Sequence, residues 1–203
     1  MSPEQIPDVL AKLDGHALHP IVALDLATGM RRGELLALRW EDVDLDGATV
    51  SIRRALEETK AGLRFKAPKT ERGRRTISLP PSSVDTLRAH WRQQLELRMA
   101  LGQGRPKSSS LVFSTVEGGP ISPDKLSRDW RRVSAVRKLP RVKFHALRHT
   151  HASALIASGL DVLTISRRLG HASTLAIYGH LFGDTDREAA NVIEVALRTP
   201  VER

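Results

Sequence analysis

The sequence predicts an α+β protein, mainly α-helical, with a small three-stranded antiparallel sheet. Three observations predict it. Apolar residues recur every three or four positions through residues 1–40 and again from residue 80 onward. Residues 49–79 instead show short alternating runs separated by turn-forming residues. Glycines, prolines and capping residues punctuate the helical stretches at their ends. The 203 residues are enough to bury a real core and are most simply one domain, 1–203.

Each element has a local reason. Ser2, Pro3 and Gln5 form a helix start, with Ile6, Val9, Leu10 and Leu13 following at helical spacing and Gly15 ending the run. Pro20 opens a second helix, Ile21 to Ala27, stopped near Gly29. A third runs from Arg32 to Arg39, and Asp42, Asp44 and Asp46-Gly47 mark a turn region. Strands follow at Thr49 to Arg54, Leu63 to Lys66 and Arg75 to Leu79, joined by turns at Lys60-Ala61-Gly62 and Lys69 to Gly73. Pro80 and Pro81 open a long helix carrying Val84, Leu87, Trp91 and Leu95, ended by Gly102. Ser122-Pro123 caps a helix to Lys138. Further helices span Phe144 to Ser158, with Gly159 as a left-handed cap, and Asp161 to Leu169, with Gly170 behind it. A segment with Tyr178 and a helix from Asp186 to Leu197 complete the chain.

Composition narrows the function classes. The net charge of +9, from 32 basic and 23 acidic residues, points to a polyanionic partner, with nucleic acid first. The absence of cysteine excludes disulfides, thiolate zinc sites and cysteine nucleophiles. No apolar run approaches the roughly 18 residues of a membrane helix, and Met1-Ser2-Pro3-Glu4-Gln5 lacks a secretory pattern. A cytosolic, DNA-facing protein with no membrane partner is the simplest expectation.

The chemistry-bearing residues lie far apart in sequence. Arg31 sits between a helix-ending Gly29 and a helix start, and Glu34 lies one turn along; such a pair is also common on plain surfaces. His145 and Arg148 share a helix face, with His149 one turn from His145. The two histidines invite a zinc reading, but no carboxylate lies between them as His-Glu-x-x-His requires, so no metal is expected. Lys69 occupies a turn where a lysine is ordinarily just solvated, although one poised over DNA could protonate a leaving alkoxide. His171 follows a helix-ending glycine, and Tyr178, the sole tyrosine, offers a phenol able to attack phosphorus and stay bonded to it. Arg53, Arg64, Lys66, Arg72, Arg74 and Arg75 of the sheet region, with Arg167 and Arg168, are candidate DNA-binding residues.

Ala27-Thr28-Gly29-Met30-Arg31-Arg32-Gly33-Glu34-Leu35, Pro68-Lys69-Thr70, His145-Ala146-Leu147-Arg148-His149-Thr150, Leu169-Gly170-His171 and Tyr178-Gly179-His180, in that order, resemble the catalytic domain of the tyrosine recombinases, the phage-integrase family. The likeness spans nearly the whole chain. It implies that family's catalytic-domain fold and site-specific DNA integration or excision through a 3′-phosphotyrosyl intermediate. Tyr178 would be the nucleophile, and Arg31 and Arg148 would bind the non-bridging oxygens. Lys69 would protonate the leaving 5′-oxygen, His145 would assist proton transfer, His171 would hydrogen-bond the phosphate and Glu34 would support the site. It implies no cofactor, double-stranded DNA as partner, a homotetramer on DNA for a full-length parent and a DNA-free monomer for this length of chain. Two features depart from the family's pattern. The interval from His171 to Tyr178 is two or three residues short, and the chain starts almost directly with the catalytic motifs, so the family's N-terminal core-DNA-binding domain is expected to be absent. The alternatives are a non-catalytic DNA-binding module, reading Asp161–Leu169 and the helix before it as a helix-turn-helix, and a type IB topoisomerase-like relaxation of supercoils.

Overall fold

The computed structural model describes residues 1–67 and 74–170. Among these residues the α-helices are α1 (Ile6–Leu13), α2 (His19–Thr28), α3 (Arg32–Leu36), α4 (Pro81–Ala100), α5 (Pro123–Val136), α6 (Ala146–Ala157) and α7 (Val162–Leu169). The strands among them are β1 (Val43–Asp44), β2 (Thr49–Ile52), β3 (Ala55–Thr59), β4 (Gly62–Lys66) and β5 (Arg75–Ser78). The α+β, mainly helical class is therefore the observed one. The final expected helix, Asp186 to Leu197, the turn at Lys69 to Gly73, and Tyr178 lie outside the described residues.

Helix α2 is central. Ile21, Val22, Leu24 and Leu26 are all buried, so its apolar residues surround it rather than forming a stripe. It packs on α1, α3, α4 and α6. Helix α5 is one-sided, burying Leu126, Trp130 and Val133 at i, i+4 and i+7. Each such side chain contributes about 1.5–3 kcal/mol of transfer free energy. The Ser122 hydroxyl caps α5 by accepting from the Lys125 amide, and the Asp161 carboxylate caps α7 by accepting from the Thr164 amide, as expected from sequence.

The sheet differs from expectation in its membership. The three antiparallel strands run in the order β1-β2-β5, and β4 pairs instead with β3 in a separate two-stranded hairpin. The chain breaks at Arg53-Arg54, where Arg54 turns to Asp42 and Glu41, and restarts as β3. Helix α3 also ends early. Residues after it leave the helix to pair with 110–112: the Leu38 carbonyl accepts from the Val112 amide, and the Trp40 amide donates to the Ser110 carbonyl. Helix α6 starts at Ala146 rather than Phe144, because Phe144 belongs to a turn closed by the Leu147 amide.

Candidate active site

The site assembles where the ends of α2, α3, α6 and α7 meet. Helix α2 ends on Gly29, whose left-handed conformation (φ 61°, ψ 30°) turns the chain sharply into Arg31. The Glu34 carboxylate accepts from the Arg31 amide at 2.9 Å, which starts α3, and its other oxygen accepts from Arg31 Nη1 at 2.9 Å. Arg31 Nη2 then reaches the Gly170 carbonyl at 2.7 Å.

Arg148, on α6, points into the same place from beneath. It is 1% exposed and donates to the carbonyls of Gly29 and Leu169, the latter at 2.8 Å. Two arginines 117 positions apart in sequence therefore hang from adjacent carbonyls, Leu169 and Gly170, at the end of α7. That end carries the partial negative charge of the helix dipole, which suits guanidinium groups. A third arginine joins them: Arg75 Nε donates to the Arg168 carbonyl at 2.7 Å.

His145 completes the described cluster at the mouth. Its pKa lies below the ordinary imidazole value, first through burial and then through His149, Arg148, Arg32 and Arg31. The ring is thus neutral near pH 7 and able to accept a proton. The His149 ring stands edge-on to it, with centroids 5.0 Å apart. Beside Arg31 and His145 opens a cavity of about 830 Å³, with Arg131, Arg141 and Lys143 on its rim and Trp130 and Phe144 at its floor.

Arg31, Glu34, His145 and Arg148 are thus brought together, while Lys69, His171 and Tyr178 lie outside the described residues, as does Arg72. Among the expected DNA-binding residues, Arg53 and Arg74 are exposed and line a second groove on the β2–β5 face. Arg64 and Lys66 lie on the β3–β4 hairpin beside Glu57, and Arg167 faces solvent. Arg75 and Arg168 require correction. The Arg75 side chain is 7% exposed and grips Glu34, and Arg168 directs its guanidinium to the carbonyls of Ala27 and Ser78 and to His151. Both serve protein acceptors rather than an open DNA face.

Sequence reasoning passed over Asp25 and His151. Asp25 is 1% exposed on α2, and its Oδ1 has no hydrogen-bond partner among the described residues. Burial raises its pKa well above the ordinary value, Arg148 opposes that and Glu34 adds to it. The available signal was a single carboxylate inside the apolar run Ile21-Val22-Ala23-Leu24-Asp25-Leu26. His151 lies three residues after Arg148, on the same helix face. Its Nδ1 is 2.8 Å from the Leu26 carbonyl, and burial is the first cause holding its pKa down at about 4.

Comparison with known proteins points to one family. Residues 1–183 match the phage integrase family. A tyrosine recombinase XerC-like protein of Caldanaerobacter subterraneus subsp. tengcongensis is 30% identical over 207 residues, covering 95% of this chain and 52% of its own length. The ICEBs1 integrase of Bacillus subtilis is 30% identical over 170 residues, covering 82% of this chain and 46% of its own. The chain thus spans about half the length of the curated relatives it matches. Among solved structures, the Tn1549 transposon integrase in complex with transposon right end DNA superposes with a TM-score of 0.81 at 19% identity, covering 97% of this chain and 65% of that one. That likeness is one of fold. With the match spanning residues 1–183, the chain belongs to the phage integrase family.

Proposed function

We propose that this chain carries the catalytic site of a site-specific DNA recombinase that breaks and rejoins strands through a 3′-phosphotyrosyl intermediate. The observation that carries the reading is the convergence of Arg31 and Arg148 on adjacent carbonyls, with His145 lining the same cavity as Arg31. Two guanidinium groups in one partly desolvated place favour a doubly charged, five-coordinate phosphorus over the singly charged diester. Arg31, with its side chain 42% exposed, meets the phosphate first, and the buried Arg148 reinforces the field from below.

In the reaction proposed, the Tyr178 oxygen bonds to phosphorus as the bond from phosphorus to the 5′-oxygen breaks. The phenolic proton passes toward His145, and Lys69 gives a proton to the leaving 5′-oxygen. His171 hydrogen-bonds the phosphate. Attack by a 5′-hydroxyl of a second strand reverses these steps and frees the tyrosine. No net phosphodiester is consumed, so the chemistry needs no nucleotide hydrolysis. Double-stranded DNA is the partner, and strand exchange uses a homotetramer on it.

The test is a library of nicked duplexes with a randomised central region, incubated with the chain and probed for denaturant-resistant protein–DNA adducts. Wild type is expected to form them and Tyr178→Phe to form none. Arg31→Ala is expected to lower the rate by about 10²–10³-fold, the scale for losing one transition-state donor. Adducts that persist in Tyr178→Phe would sink the assignment, as would their absence in wild type.

A further inference from the structure

Among the described residues, Arg168 touches no group assigned to the reaction, yet it joins the elements packed around Arg31 and Arg148. Its Nη2 donates to the Ala27 carbonyl in the last turn of α2 at 2.8 Å and to the Ser78 carbonyl at the end of β5 at 3.2 Å. Its Nε donates to His151 Nε2 on α6 at 3.3 Å. The His151 ring can accept there because Nδ1 faces the Leu26 carbonyl, which fixes the proton on Nδ1 and leaves Nε2 with a lone pair. Three elements, α2, α6 and β5, are thereby tied to one guanidinium on α7.

The backbone of the same turn does the complementary work. The successive carbonyls of Arg168, Leu169 and Gly170 accept from Arg75, Arg148 and Arg31 respectively, at 2.7, 2.8 and 2.7 Å. Arg75 in turn grips the carboxylate that holds Arg31. We propose that Arg168 is a positioning residue for the paired arginines. By anchoring the C-terminal turn of α7 to α2, α6 and β5, it sets the carbonyl row from which Arg75, Arg148 and Arg31 are suspended before DNA arrives. Its relevance to catalysis rests on the function proposed above; the array does not. A lysine cannot replace it, since a point charge lacks the planar fork that serves three acceptors in different directions.

The experiment uses the full chain as wild type, Arg168→Ala and Arg168→Lys. Without DNA, nitrogen-15 spectra of arginine side chains report the solvent-exchange protection of the Arg148 guanidinium. With a duplex recovered from the library, DNA affinity and the rate of adduct formation are measured separately. Both variants are expected to lose Arg148 protection and to retain DNA affinity. Their adduct-forming rate is expected to fall by about 10²-fold, the scale for a misplacement of about 1 Å in a reacting group. If Arg168→Ala does not fold, Arg168→Lys carries the test. Wild-type protection and rate in Arg168→Lys overturn the proposal, and so does a loss of DNA affinity with Arg148 protection intact, which would make Arg168 a DNA contact. Lost Arg148 protection in a protein whose wild type forms no adduct supports the array and overturns the reaction instead.

Discussion

Arg75 and Glu34 form a two-point ion pair: Nη1 meets Oε1 at 3.1 Å and Nη2 meets Oε2 at 2.8 Å, with both side chains under 10% exposed. Burial pushes the Glu34 pKa up, but the Arg75 hydrogen bond and charge, the Arg31 amide and the Arg31 charge together bring it below the ordinary value. Ionised Glu34 therefore adds stability that is fully present above the unfolded glutamate pKa of about 4.3 and lost as pH falls through the lower folded value. Glu34→Gln is expected to destabilise the chain by about 3 kcal/mol at pH 7, the lower end for breaking a buried pair on one side. Urea denaturation at pH 7 and pH 3 checks this. The difference between wild type and variant should shrink at the lower pH, and an equal difference at both would refute the ion-pair account.

Asp25 has the opposite sign. Burial raises its folded pKa, so the carboxyl contributes most below its unfolded pKa, and that contribution is lost as pH rises through the folded value. A neutral isostere carries no such loss. Asp25→Asn is expected to melt at a temperature closest to wild type near pH 4 and progressively above it as pH rises to 8. Calorimetric melting across that range reads the trend. A variant less stable than wild type at pH 8 would mean that Asp25 is needed as an anion opposite Arg148.

On the outer face, Arg53 and Arg74 line the β2–β5 groove, whereas Arg75 is turned inward. If the groove tracks a DNA backbone, Arg53→Ala and Arg74→Ala should each reduce the slope of log affinity against log salt by about 0.9, the value for one phosphate contact. Arg75→Ala should instead lower folding stability, because it strips Glu34 of a buried partner. Affinity titrations at several salt concentrations, alongside melting curves, separate the two kinds of arginine. A salt slope unchanged in both Arg53→Ala and Arg74→Ala would remove the groove from the DNA path.

That division between neighbouring arginines was readable from the chain. In a strand, Arg75 shares a face with Ile77, and Arg74 with Thr76, so the buried Ile77 marks Arg75 as the inward residue. In α7, Arg168 follows Ile165 by three positions and so lies on its buried face, while Arg167 does not. Helix ends marked by Ser122, Asp161, Gly29 and Gly170 were legible for the same reason: their signals are local. Strand β3 was not. Ala55-Leu56-Glu57-Glu58-Thr59 is made mostly of good helix formers, and its extended form comes from pairing with β4, which overrides propensity. The early end of α3 likewise depends on residues 110–112, far along the chain, and no local pattern announces it. At the site, the types and order of Arg31, Glu34, His145 and Arg148 were legible. The carbonyl row that holds two of them was not, because backbone acceptors leave no mark on a sequence.

Gly29 shows how tightly that site is packed. A Cβ on it would lie 2.5 Å from His151 Cδ2 and 2.7 Å from Leu169 Cδ2, and its φ of +61° is one that L side chains rarely adopt. Gly15 has a similar φ of +69°, but its Cβ would meet nothing within 4 Å among the described residues. The two positions therefore separate backbone strain from crowding. Gly15→Ala is expected to cost about 1 kcal/mol, the backbone penalty alone. Gly29→Ala adds about 1–3 kcal/mol for forcing His151 and Leu169 apart. The same displacement would move the Leu169 carbonyl from Arg148 and the His151 ring from Arg168, so adduct formation should fall in Gly29→Ala and hold in Gly15→Ala. Denaturation curves and adduct assays on both variants decide it. Equal costs at the two glycines would show that His151 and Leu169 yield freely, and that the array at the end of α7 is not held in place by packing against α2.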